Sequence, residues 1–237
     1  MSRAWSAAEQ GPLPSLLVLL TVVTGLVDAV SYLSLGHVFV ANMTGNVVFL
    51  GFALAGAPGF SAPASLAALG AFLIGALAGG RIANRFDEHR ARHLRGATTI
   101  GVLLLFGALV LAAIIGQPVS DGARYALIAP LAAAMGIQNA TARRLAVPDL
   151  TTTVLTLTLT GLAADARLIG GAGGHPERRL LAVAAMFAGA LAGALLVLKV
   201  DLVLPLALAL ALTSAVALRS HAHSASELDW AKYPRRS

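Results

Sequence analysis

The chain has 237 residues, 57% of them hydrophobic and 12% charged, with a net charge of +6 and a mean hydropathy of +0.80. A soluble domain carries about 25% charged residues, so this composition excludes an ordinary water-soluble domain and equally excludes a disordered chain. Only 5% is aromatic while Ala, Leu, Gly and Val dominate, which suits one domain of close-packed membrane helices rather than a β-barrel with aromatic girdles.

A span needs roughly 20 apolar residues. Apolar segments run near 14–35, 38–57, 64–84, 97–116, 122–142, 150–164, 180–198 and 201–219, and the breaks between them hold most charges and strong turn residues. The first segment reads as a retained helix: Arg3 is opposed by Glu9, and Asp28 interrupts the apolar run before any clean cleavage site. The second carries Asn42, Thr44, Gly45 and Asn46 in its first half. The sixth is short and threonine-rich, from Thr151 to Thr160. In water its alternation of Thr with Val and Leu would read as a strand. Within a bilayer an open strand is excluded unless protein or a cavity shields it.

The chain repeats itself. Gly25-Leu-Val-Asp28-Ala29 resembles Gly136-Ile-Gln-Asn139-Ala140, the run from Ala41 to Gly45 loosely matches that around Thr156, and AFLIGALAG from Ala71 matches AMFAGALAG from Ala185. Matches in one order at nearly one offset indicate duplication, with halves at 14–116 and 122–219. Charge then sets topology. If every segment crosses, the 17 Lys and Arg residues divide almost evenly between the two sides. If segments two and six enter and return, and the N-terminus is inside, only Arg124 and Lys199 lie outside, as the positive-inside rule asks. A variant in which segment two crosses and the N-terminus is outside differs only at Arg3. The expectation is therefore an all-α polytopic bundle of about six spans and two short re-entrant or broken segments. Its cytoplasmic tails would be 1–13 and 220–237, around a single membrane domain, 14–219. Three crossings per half make the halves inverted copies, a recurring transporter plan.

The run from Asp28 to Asn46, DAVSYLSLGHVFVANMTGN, and the run MGIQNA from Met135, followed by the Thr-rich segment, resemble the YoaK family. The resemblance covers roughly residues 14–220. It implies a bacterial inner-membrane protein of unknown function and supplies no substrate and no catalytic residue. The family pattern has Thr-Gly-Thr where this chain has Thr156, Leu157 and Thr158.

A charge midway along a span costs several kcal/mol unless it is paired or wet. Asp28 therefore reads either as a proton- or cation-binding carboxylate or as a hydrogen-bonded tie between helices. Asn139, beside Gln138, sits at its repeat position. The expected substrate-binding set is Asp28, Asn42, Thr44, Asn46, Gln138, Asn139 and Thr156, gathered near the bilayer centre because shared partners offset the cost of polar groups in hydrocarbon. The pairs Gly75/Gly79 and Gly189/Gly193 read as close helix contacts, and residues 81–95 as a solvated basic loop. His89 and His93, flanked by arginines, do not read as a metal site. His221 and His223 fall in a polar tail expected to be mobile. With no catalytic trio, paired carboxylates or metal quartet at membrane depth, no catalytic residue, metal or cofactor is expected.

The functional expectation is a transporter or channel for a small polar solute, proton-coupled through Asp28. The alternative is a non-transporting membrane protein, an assembly partner or an intramembrane enzyme. The expected partners are the bilayer and that solute, without nucleic acid, and a homo-oligomer stays open.

Overall fold

The computed structural model describes residues 10–86, 88–147, 155–164, 176–225 and 228–233. These form an all-α bundle: α1 (Leu13–Ser34), α2 (Met43–Leu54), α3 (Ala62–Arg85), α4 (Arg90–Ile115), α5 (Asp121–Leu145), α6 (Leu155–Ala164), α7 (Pro176–Lys199), α8 (Val203–Ala222) and a 3-10 turn at Asp229–Ala231. Polar side chains close several helix starts by accepting orphan amides. Ser61 Oγ accepts from Ala64 N at 3.3 Å and Ser120 Oγ from Ala123 N at 3.4 Å. Asp201 Oδ1 accepts from Val203 N and Leu204 N, both at 2.9 Å.

By length and composition α1, α3, α4, α7 and α8 are able to cross a membrane, and α2 and α6 are shorter apolar helices. α5 has 25 residues but carries Arg124, Gln138, Asn139, Arg143 and Arg144. Its Leu127, Ile128, Leu131 and Met135 are buried, so its apolar face meets protein. α1 is the most enclosed helix: its apolar window is 72% buried, against 22 to 33% for the other four. On α7 the row Phe187, Leu191, Leu195 and Leu198 is exposed, the side of the bundle left to lipid.

Packing fixes the relative directions. Leu13, Leu16 and Leu17 of α1 share one cluster with Ala91 and Leu94 of α4, Ala142 and Leu145 of α5, Ala182 of α7 and Val216 of α8. The starts of α1, α4 and α7 thus lie beside the ends of α5 and α8. At the opposite end Gly36, just beyond α1, lies against the Arg124 side chain near the start of α5. α3 runs parallel to α5, since Gly75 meets Ala133 and Gly79 meets Ile137 and Ala140. So α1, α4 and α7 run one way and α3, α5 and α8 return. Every described Lys and Arg except Arg124 and Lys199 falls at the end where α1 starts.

The first repeat pair and the last form the two tightest crossings. A Cβ at Gly75 would fall within 3.0 Å of Ala133 backbone atoms, and one at Gly136 within 3.0 Å of Phe72 O and Ala76 N. On the other side Gly189 meets Val22 O, and Gly25 meets Met186 O and Ala190 N. Each contact maps onto its counterpart at the repeat offsets seen in the sequence. The third helix of each half therefore packs on the first helix of the other, with glycine allowing backbone-to-backbone approach.

Two boundaries differ from the sequence expectation. α4 begins at Arg90, inside the stretch read as a solvated loop. His89 Nδ1 accepts from Arg92 N at 3.3 Å to start it, and Arg90 and His93 are 3% and 0% exposed. The polar tail also folds back. α8 continues to Ala222, and Trp230 packs under Gly11 with Leu13 and Leu16, because an indole left in water would forgo a large apolar burial.

Candidate functional site

After α1 the chain reverses through Gly36 and His37, at φ +89° and +56°. Left-handed geometry is unusual for a histidine. It is held by His37 Nδ1 donating to Gly59 O at 3.0 Å and by the Tyr32 ring edge-on at 5.2 Å. The following residues dive inward: Val38, Val40 and Ala41 are buried in a cluster with Ala64 and Ala68 of α3 and Leu127 and Leu131 of α5. α2 then leads back until Gly59 stands beside His37. At 12 residues α2 is about 18 Å long.

Asp28 receives the tip of this arm. Its Oδ1 accepts from Val40 N at 3.0 Å and Ala41 N at 2.8 Å, and its Oδ2 accepts from Asn42 Nδ2. Asn42 is also the residue that precedes the first turn of α2. The carboxylate thus faces the amide-rich start of a short helix, where negative charge is favoured. A carboxylate has about four lone-pair positions; three are taken by the arm, leaving one on Oδ2. Asn46 braces the same tip: its Oδ1 accepts from Phe39 N at 2.9 Å and its Nδ2 donates to Phe39 O at 2.5 Å. Thr44 is exposed on the first turn of α2.

Beside Asp28 an open groove of about 270 Å³ runs between α1, the arm and α7. Its walls include Asp28, Tyr32, Phe39, Asn42, Met186 and Ala190. Tyr32 and Phe39 stack at 5.1 Å and 22°, and their stack continues through Phe49 to Phe60. Tyr32, Phe39 and Met186 were not singled out from the sequence. The bunching of Tyr32, Phe39, Phe49, Phe52 and Phe60 in an otherwise aromatic-poor chain is the signal that would have found the first two.

The remaining expected site residues lie elsewhere. Gln138 Nε2 donates to Leu20 O at 3.1 Å and Thr24 Oγ1 at 2.9 Å, which precede Asp28 on α1 by about two turns and one turn. It also lines a small cavity of about 20 Å³ with Thr98, Thr141 and Thr213. Asn139 Nδ2 donates to Met135 O at 2.9 Å, back along its own helix. Thr156 is exposed on α6, which is helical over its described length; Thr151, Thr152 and Thr153 lie outside the described residues. The structure therefore brings together Asp28, Asn42 and Asn46, and sets Gln138 and Asn139 toward the basic end of the bundle.

The chain matches, over residues 16–218, the family described as protein of unknown function (DUF1275), a match that takes in the arm, the groove and both repeat halves. The chain belongs to this family. It is also similar to the UPF0700 transmembrane protein YoaK of Bacillus subtilis (strain 168), 34% identical over 151 residues, covering 64% of this chain and 66% of that relative. The chain thus spans just under two thirds of that protein's length. No solved structure matches. This DUF1275 chain is a multi-pass membrane protein.

A second polar cluster in this family member closes the basic end. His93 Nδ1 and Tyr233 Oη hydrogen-bond at 2.6 Å, and the Arg144 guanidinium lies 5.5 Å over the Tyr233 ring. Arg90 donates to Leu145 O at 2.7 Å and to Trp230 O at 3.5 Å, satisfying a carbonyl at the end of α5. Burial pushes the Tyr233 phenol up from its ordinary value, partly offset by Arg90 and Arg144. His89 and His93 are thus occupied in capping α4 and in holding the tail. Among the described residues no group of three or more His, Cys, Asp or Glu side chains could hold a metal.

Proposed function

We propose that this protein is a transporter for a small polar solute, coupled to protons through Asp28, in a bacterial inner membrane with both termini in the cytoplasm. The observation that carries the reading is a buried carboxylate holding the tip of a broken membrane segment beside an open groove. The helix directions support six crossings, the five long apolar helices and α5. α1 and α3 run opposite ways although α2 lies between them, and the same holds for α5 and α7 around α6. Three crossings in each half make the halves inverted, and the paired glycine contacts support that relation. The basic end belongs in the cytoplasm by the positive-inside rule.

A second reading, a non-transporting membrane protein, is favoured by one observation: three donors from the chain itself already fill three of the acceptor positions of Asp28. Proteoliposomes enclosing a pH dye separate the two. A panel of amines, amino acids and sugars should include a solute whose addition moves protons through wild-type protein. Asp28→Asn, folded and inserted, should abolish that movement. Proton flux that survives Asp28→Asn removes the coupling role. If no solute moves protons and Asp28→Leu only lowers stability, the tie between helices is the whole role of Asp28.

A further inference from the structure

We propose that the groove beside Asp28 binds a small monovalent organic cation, an ammonium head on an apolar body, in exchange for one proton on Asp28. This rests on the transport reading and names its substrate class.

The argument is one of complementarity. Among the described residues that line the groove Asp28 is the one carboxylate, and the arm leaves one acceptor position on its Oδ2. That position takes either a proton or an N–H of an ammonium group, so the two exclude one another and exchange at equal charge. Tyr32 and Phe39 line the same groove as Asp28, and aromatic rings attract a cation. Met186 and Ala190 complete an apolar wall. A sugar would lose more hydrogen bonds to water than Asp28, Asn42 and Tyr32 could replace. Ca²⁺ or Mg²⁺ requires about six oxygen ligands, and an anion would face a carboxylate.

Neighbouring charges leave this assignment in place. Among the described residues of the wall Tyr32 is the one other titratable side chain. On α1 no other charged residue is present, and α7 carries none between Arg179 and Lys199. His37 lies beyond the end of α1 beside Gly59. Arg124 at that same end pairs with Asp121, and Asp201 caps α8.

The test uses the full chain in phosphatidylcholine nanodiscs and three probes of similar shape: phenethylammonium, 2-phenylethanol and 3-phenylpropanoate. Calorimetry in buffers of different protonation enthalpy reads binding and proton release together. Phenethylammonium should bind and release protons, 2-phenylethanol should bind at least about tenfold more weakly, and 3-phenylpropanoate should not bind. Asp28→Asn should lose both binding and release. Ala194→Leu, which fills the groove from α7 without touching the hydrogen bonds of Asp28, should lose binding with the fold intact. Equal binding of the alcohol and the ammonium would make the groove a slot for lipid chains and overturn the inference. Cation binding that survives both substitutions would also overturn it. Binding without transport would keep the inference and remove the transport reading; coupled transport of a neutral solute without cation binding would do the reverse.

Discussion

Replacing Gly75 with alanine should destabilise the bundle strongly, whereas the same change at Gly70 should not. At Gly75 the new Cβ would lie within 3.0 Å of Ala133 O, C and Cα. Those are backbone atoms, so no side-chain rotation relieves the clash, and α3 and α5 must separate by roughly 1 Å to restore ordinary contact. Overpacking of this kind costs about 1–3 kcal/mol. The upper end is expected here, a large fraction of a typical stability of about 5–15 kcal/mol. At Gly70 nothing lies within 4 Å, and alanine gains up to about 1 kcal/mol of helix propensity. Gly189→Ala should match Gly75→Ala, because its Cβ would meet Val22 O in the equivalent crossing of α1 and α7. Gly25→Ala and Gly136→Ala should form a second matched pair. The assay is loss of helicity on thermal or dodecyl sulfate titration of purified protein in mild detergent. Equal stabilities for Gly75→Ala and Gly70→Ala would refute the close crossing. A large effect at Gly75 with none at Gly189 would refute the equivalence of the halves.

Topology is checked in the native background because the chain has no cysteine. Glu88→Cys and His221→Cys should resist an impermeant thiol reagent in intact cells while Gly122→Cys, in open space, should react; the opposite pattern would invert the assignment of the basic end. Docking of the tail should be pH-dependent through Tyr233. A docked phenol holds its proton above the ordinary value of 10.0 while a released one ionises near it. Docking is therefore fully stable below about pH 10 and weakens as pH rises further. In a Trp5→Phe background, Trp230 fluorescence should shift to the red above that point, and Tyr233→Phe should remove the transition. An identical transition in Tyr233→Phe would assign it to another group.

Composition and spacing alone determined the membrane class and the helical segments, because both follow from the transfer energy of local stretches, and matches along the chain raised the expectation of an internal repeat. Asp28 was legible for the same reason, as a charge inside an apolar run. Its partners were not: Val40 and Ala41 offer only backbone amides, which have no signature in sequence, and they reach Asp28 because the chain reverses at Gly36 and His37. Gly75 and Gly189 announced close contacts, but only the fold decided that each packs on the opposite half. Met186 and Ala190 join the groove from a helix more than 150 residues distant from Asp28. Asn139 occupies the repeat position of Asp28 with Gln138 beside it, yet antiparallel packing of α1 and α5 sets both toward the other end. The polar tail likewise looked free until Trp230 found the apolar pocket at the start of α1. Local hydropathy records what each segment loses in water; which faces meet is decided by the packing of all of them at once.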